Sequence, residues 1–144
     1  MTSKNPIIVE QKFNVPVDVV WKAITNVSEM RRWFFDNIPD FKPEVGFETS
    51  FNVSSGERNF LHQWKIIEVV TLKRIVYDWT YKEYPGSRGE VTFELQEDNG
   101  QTKLILTNLG LESFPQDLPE FQRESCIGGW NYFINQNLKQ YLDS

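Results

Sequence analysis

The run "EVTFELQEDNGQTKLILTNL", residues 90–109, restricts the fold of this chain more than any other stretch. Val91, Phe93 and Leu95 alternate with polar residues, Leu104, Leu106 and Asn108 do the same, and Asn99-Gly100 stands between the two runs. A period of two puts alternate side chains on one face of a pleated strand. An Asn-Gly pair suits a type I′ turn, because both central residues need positive φ. A hairpin with one apolar face is not stable alone, so it requires further strands and a cover on that face.

The rest of the chain offers both. "FETSFNV" alternates Phe47, Thr49, Phe51 and Val53 against Glu48, Ser50 and Asn52. After the turn "SSGER" comes a longer strand, "NFLHQWKIIEVV", and after "TLKR" the run "IVYDWTY" sets Ile75, Tyr77, Trp79 and Tyr81 against Val76, Asp78 and Thr80. The adjacent Ile66 and Ile67 break the alternation and predict a β-bulge. "IIVEQKFNV", 7–15, is rich in β-branched residues and predicts a first strand ending at Pro16.

Two short helices follow it. "PVDVVWKAIT" places Val17, Val20, Trp21 and Ile24 at helical spacing, and a proline at a helix start loses no hydrogen bond. "NVSEMRRWFF" opens with Asn26 and Glu29 as a capping pair, with Arg31-Arg32 expected on its solvated outer face. Residues 36–46, with two prolines and a closing glycine, predict a loop. Beyond Pro115 and Pro119 the last 25 residues predict one helix with Ile127, Trp130, Ile134, Leu138 and Tyr141 as its apolar stripe. The order implies an α+β fold: an antiparallel sheet of about six strands, two short helices after strand 1 and a long C-terminal helix, in a single domain over 1–144.

Two glycines interrupt that last helix, each costing about 1 kcal/mol against alanine. On a helical wheel Gly128 lies nearly opposite Trp130, while Gly129 sits between Cys126 and Phe133. Gly129 is therefore expected in a pocket wall, and Gly128 in solvent or at a slight bend.

Composition matters through its rings: eleven Phe, five Trp and five Tyr make 15% of the chain, more ring surface than a small core needs. The residues expected to face the helices are Phe47, Phe51, Phe60, His62 and Trp64, then Tyr77, Trp79, Tyr81 and Phe93. Trp33 and Phe34 join them from the short helices, and Trp130 and Phe133 from the last one. Such a set fits a solid aromatic core, and equally a curved sheet that leaves a lined cavity beneath the helix. In a cavity, His62, Thr49, Asn108, Tyr77 and Tyr81 would be the placed polar groups, with Leu106, Cys126 and Gly129 completing the candidate lining.

Other chemistry is disfavoured. A net charge of −5 argues against nucleic acid. One cysteine cannot make an internal disulfide, and neither a signal-peptide core nor an eighteen-residue apolar run occurs, so a cytoplasmic protein without a membrane span is expected. One His and one Cys cannot build a His/Cys metal cluster, and no cofactor motif is present. Gly128-Gly129 lacks the strand and lysine of a phosphate loop, and "PGSRG" is not a nucleophile elbow. His62 is the one side chain with an ordinary pKa near neutrality, hence the sole acid–base candidate, with a structural role commoner. Cys126, near the buried stripe, is expected to be an inert packed thiol.

The ordered set "VPVDVVWKAITNVSEMRRWF", "WKIIEVVTLKRIVYDW", "GQTKLILTNLG" and "GGWNYFINQNLKQYL" resembles the Aha1-type branch of the START-like (SRPBCC, helix-grip) superfamily over nearly the whole chain. The resemblance implies an antiparallel sheet gripping the C-terminal helix, with a deep pocket between them. It implies binding of a small apolar, aromatic or lipid-like ligand, or a cyclase/aromatase-like activity in which His62 would be the acid or base. Eukaryotic Aha1 proteins use a similar domain to stimulate the Hsp90 ATPase, but they carry a further N-terminal domain, and this chain opens at the first strand. Hsp90 thus ranks below a small ligand as the expected partner.

Overall fold

The computed structural model describes residues 6–143. β1 (Ile7–Phe13) leads through Pro16 into α1 (Val17–Thr25) and α2 (Val27–Trp33). Five strands follow: β2 (Glu48–Ser55), β3 (Arg58–Val70), β4 (Arg74–Tyr81), β5 (Gly89–Asp98) and β6 (Gln101–Leu109). All pair antiparallel in one curved sheet of order β1-β6-β5-β4-β3-β2, so the first strand closes onto the last and every later neighbour is a hairpin. Two 3₁₀ turns, Leu111–Ser113 and Pro119–Phe121, lead into the C-terminal helix.

The local signals explain these boundaries. Asn99 and Gly100 both have positive φ, 53° and 80°, as the hairpin turn needs. The β3–β4 register shifts between Ile66 and Glu68, where the two isoleucines predict a bulge. The Asn26 side chain accepts a hydrogen bond from the Glu29 N–H at 3.2 Å and starts α2. The Trp33 indole donates to the Ala23 carbonyl at 2.8 Å, which ties the two short helices together.

Three local expectations differ. Arg31 is not simply solvated: its guanidinium donates to the Ile38 and Pro39 carbonyls, at 2.7 and 2.9 Å, and pins the 36–46 loop against α2. Val76, expected outward, is buried, because Arg74 bridges Glu68 on β3 and Glu94 on β5 on that outer face. The C-terminal helix is continuous but not α throughout. α3 (Arg123–Trp130) passes into a π-helical stretch, Asn131–Leu138, before α4 (Lys139–Asp143). In a π-helix hydrogen bonds run five residues along instead of four. The widened turn keeps Trp130, Ile134 and Leu138, four residues apart, buried on one line against the sheet.

The core lies between the sheet's concave face and the helices. Phe34 is its hub: it stacks on Trp33 at 4.6 Å between ring centroids and on Trp64 at 5.4 Å, and meets Phe93 edge to face at 6.3 Å. Offset and edge contacts at such distances add about 0.5–1.5 kcal/mol per pair beyond area burial.

Candidate ligand-binding cavity

Beside this core, beyond Phe35, Trp79, Trp130 and Phe133, the rings do not close up. A cavity of about 220 Å³ remains between β3, β4, the start of β5, the end of β6 and the C-terminal helix. His62 from β3 and Trp79 and Tyr81 from β4 form its sheet wall, and Asn108 of β6 reaches its edge. Cys126, Gly129, Trp130 and Phe133 form the helix wall. Phe35, just past α2, closes the inner end, 5.0 Å from the His62 ring.

The cover comes from the irregular segment after β6. Leu111, Phe114, Glu120 and Phe121 line the cavity from that side. Phe114 and Phe121 stack at 5.1 Å and, with Phe60, make a small core of their own. Gly110 makes the cover's entry turn at φ +82°, packed so closely on the Arg88 carbonyl that no Cβ fits. Ser113 fastens the cover at one point, accepting from Arg88 N–H and donating to Gly110 O. Glu120 fastens it at another: Arg58 donates to its carboxylate from Nε and a terminal nitrogen, both at 3.0 Å, and the Ser55 hydroxyl at 2.8 Å.

The structure therefore divides the sequence-derived candidates. It brings His62, Trp79, Tyr81, Asn108, Cys126, Gly129, Trp130 and Phe133 to the cavity. Trp33, Phe34, Phe51, Trp64, Tyr77, Phe93 and Leu106 are buried in the main core instead. Phe47 packs against that core half-buried, Phe60 belongs to the satellite core under the cover, and Thr49 is half-buried near the β2 edge, off the cavity. Phe35, Gly89, Leu111, Phe114, Glu120 and Phe121 line it without having been expected. For four of these a signal existed, since "LESFPQDLPEF" carries large apolar and aromatic residues through a stretch interrupted by two prolines. Gly129 has the position the wheel gives it, with nothing within 4 Å of where a Cβ would stand, and Gly128 is exposed.

The lining is close to neutral. Burial pushes the His62 imidazole down to about 4, only partly offset by its bond to the Phe60 carbonyl, so the ring is uncharged at pH 7. Burial raises the Tyr81 hydroxyl well above the usual phenol range and the Cys126 thiol up to about 11. A thiol held up in this way is a poor nucleophile. Glu120 is the exception, its carboxyl held below the ordinary range chiefly by the Arg58 hydrogen bonds. Among the described residues no three His, Cys, Asp or Glu side chains converge on a metal-sized site, and no helix is long and apolar enough to cross a membrane. What the arrangement offers is an apolar space with a few fixed, uncharged hydrogen-bonding atoms.

Known structures share this architecture. The chain is 26% identical to protein MLL2253 from Mesorhizobium loti, each covering 96% of the other, with a TM-score of 0.74. It is 18% identical to the Aha1 dimer from Colwellia psychrerythraea over 96% of each chain, TM-score 0.78. It is 20% identical to PFC0360w, an Hsp90 activator from Plasmodium falciparum, over 90% of this chain and 91% of that one, TM-score 0.68. At these identities the last two likenesses show the fold alone. No curated protein matches the chain. The family model described as activator of Hsp90 ATPase homolog 1-like protein matches residues 14–143, and with a sheet that grips its last helix as that superfamily's does, the chain belongs to this family.

Proposed function

We propose that this protein binds a small apolar ring compound in the cavity between sheet and C-terminal helix, acting in the cytoplasm as a single binding domain without cofactor. The observation that carries the reading is the cavity itself: about 220 Å³, walled by rings, and not filled although the same aromatic system packs solidly a few residues away. An apolar cavity of about 150 Å³ is enough to hold benzene. The size favours one ring with a substituent over a long lipid chain.

A thermal-shift series of single-ring compounds tests this, because a ligand that binds only the folded state raises the melting temperature. Saturable stabilisation is expected in the wild type and its loss in Gly129→Leu, whose side chain would occupy the space Gly129 leaves open. Equal stabilisation of both proteins would show that the ring binds elsewhere. Native mass spectrometry of protein purified from its own host would identify the natural ligand.

The family supplies a second reading, a protein partner of the Hsp90 type. That reading needs a contiguous exposed apolar patch. Val70 and Leu72 lie together near the β3–β4 turn, whereas Ile8, Val19, Val45 and Tyr132 are spread over other parts of the chain. Stimulation of an Hsp90 ATPase by the purified protein, undiminished in Gly129→Leu, would favour it over the ligand reading. A cyclase-like reaction at His62 is less well supported, since an imidazole held down to about 4 is a weak base at neutral pH.

A further inference from the structure

The hydrogen-bonding atoms of the cavity restrict which ring it holds, an inference that rests on the cavity being a binding site. His62 and Tyr81 each have one bonding direction already used. His62 Nδ1 lies 3.0 Å from the Phe60 carbonyl oxygen. A carbonyl only accepts, so Nδ1 carries the proton and Nε2 carries a lone pair in the neutral ring. Tyr81 is the complement. Its hydroxyl oxygen accepts from the Trp79 indole N–H at 2.9 Å, which leaves its own proton to donate.

Neither the Nε2 lone pair nor the Tyr81 proton has a hydrogen-bond partner among the described residues. The two rings meet edge to face with centroids 4.7 Å apart, and both line the cavity. One acceptor and one donor therefore belong to neighbouring rings in the wall of an otherwise apolar space. The lining has no cation, and its one charged side chain, Glu120, is negative and paired outward with Arg58. An anion buried there would have no counter-charge, and unpaired burial of charge is strongly unfavourable.

We propose that the cavity selects a neutral, single-ring, phenol-type ligand whose hydroxyl donates to His62 Nε2 and accepts from Tyr81, over the bare hydrocarbon and over a ring carboxylate. One hydroxyl satisfies both protein atoms at once, with the ring against Phe35, Trp130 and Phe133.

Calorimetric titration of the whole chain with 4-methylphenol, toluene and benzoate tests this. The expected result is that 4-methylphenol binds about tenfold more tightly than toluene, the effect of a net gain near one good hydrogen bond, and that benzoate gives no saturable heat. Tyr81→Phe should remove most of that tenfold preference, read as the ratio of the two affinities measured in the same variant. Because that variant also takes an acceptor from Trp79, the wild type supplies an independent reading. The ¹⁵N resonance of His62 Nε2 should shift with 4-methylphenol and stay in place with toluene. Equal affinity for 4-methylphenol and toluene, an unmoved Nε2 resonance, or tight benzoate binding would each overturn the phenol selectivity while leaving a ring-binding cavity. If none of the three probes binds, toluene included, the cavity reading itself fails and this inference with it.

Discussion

The two ends of the aromatic system are built from the same residue types and reach opposite results. Around Phe34, rings from α2, β3, β4 and β5 interlock, and Trp33, Trp64, Tyr77 and Phe93 are each at most 2% exposed. Around Tyr81 the rings belong to β3, β4 and the irregular cover, and a space of about 220 Å³ stays open between them and the helix. Ring content therefore does not decide whether a core is filled. What differs is the origin of the lids. Helices and strands project side chains at fixed periods, so facing layers can be matched to close density. Here the cavity cover is a chain of turns fastened at a few points, by Ser113 and Glu120 among others.

The sharpest way to break that contrast is to open the closed end. Trp33→Ala should lower unfolding stability by about 3–5 kcal/mol in a denaturant titration, since it removes a fully buried indole and its bond to the Ala23 carbonyl. A much smaller loss would mean that the Phe34 end packs no better than the Tyr81 end.

Acid probes the open end. His62 has a folded pKa near 4 against an ordinary 6.5, so the unfolded chain binds its proton first as pH falls. Stability should be unaffected by this group above about pH 6.5, and should fall by about 3 kcal/mol between there and pH 4. His62→Gln, which cannot titrate, should flatten that part of the curve. An unchanged slope would show that other groups set the acid response.

Filling the cavity has a smaller and opposite sign. Gly129→Leu should raise stability by up to about 1 kcal/mol from helix propensity alone, because its side chain meets no protein atom within 4 Å at Cβ. Destabilisation would mean that the space is narrower than the geometry gives. Smallest of all is Glu120→Gln. It loosens one fastening of the cover at a half-buried carboxylate whose partner Arg58 is exposed, so a slight lowering of the melting temperature is expected, shrinking at high salt.

The same contrast sets how much could be read in the sequence. The strands, their bulge, both short helices and the α+β order of elements follow from period and turn chemistry, because Asn99-Gly100, Ile66-Ile67 and Asn26 act locally. Period also tells which face Trp64, Tyr77 and Phe93 take, but not at which end of that face the space is left, and all three went to the solid core. The cover residues Phe114, Glu120 and Phe121 have no period to read; only tertiary contact places them. Phe35 follows the end of α2, where the chain leaves the helix at Phe34 with φ −105° and ψ −137°, so neighbouring phenylalanines serve the core and the cavity separately.

The π-helical stretch Asn131–Leu138 gives the gripped helix some slack in length. Removing one residue from an α-helix turns everything beyond it by about 100° and would swing the chain's end off the sheet. In a wider-wound stretch the loss of one residue, such as exposed Gln136, can be absorbed by tightening toward the ordinary winding. Trp130 at one end of the stretch and Tyr141 beyond the other, hydrogen-bonded to Glu29 on α2, would then keep their places. The helix that closes the cavity thus contains a stretch in which a change of length by one residue need not displace its two ends.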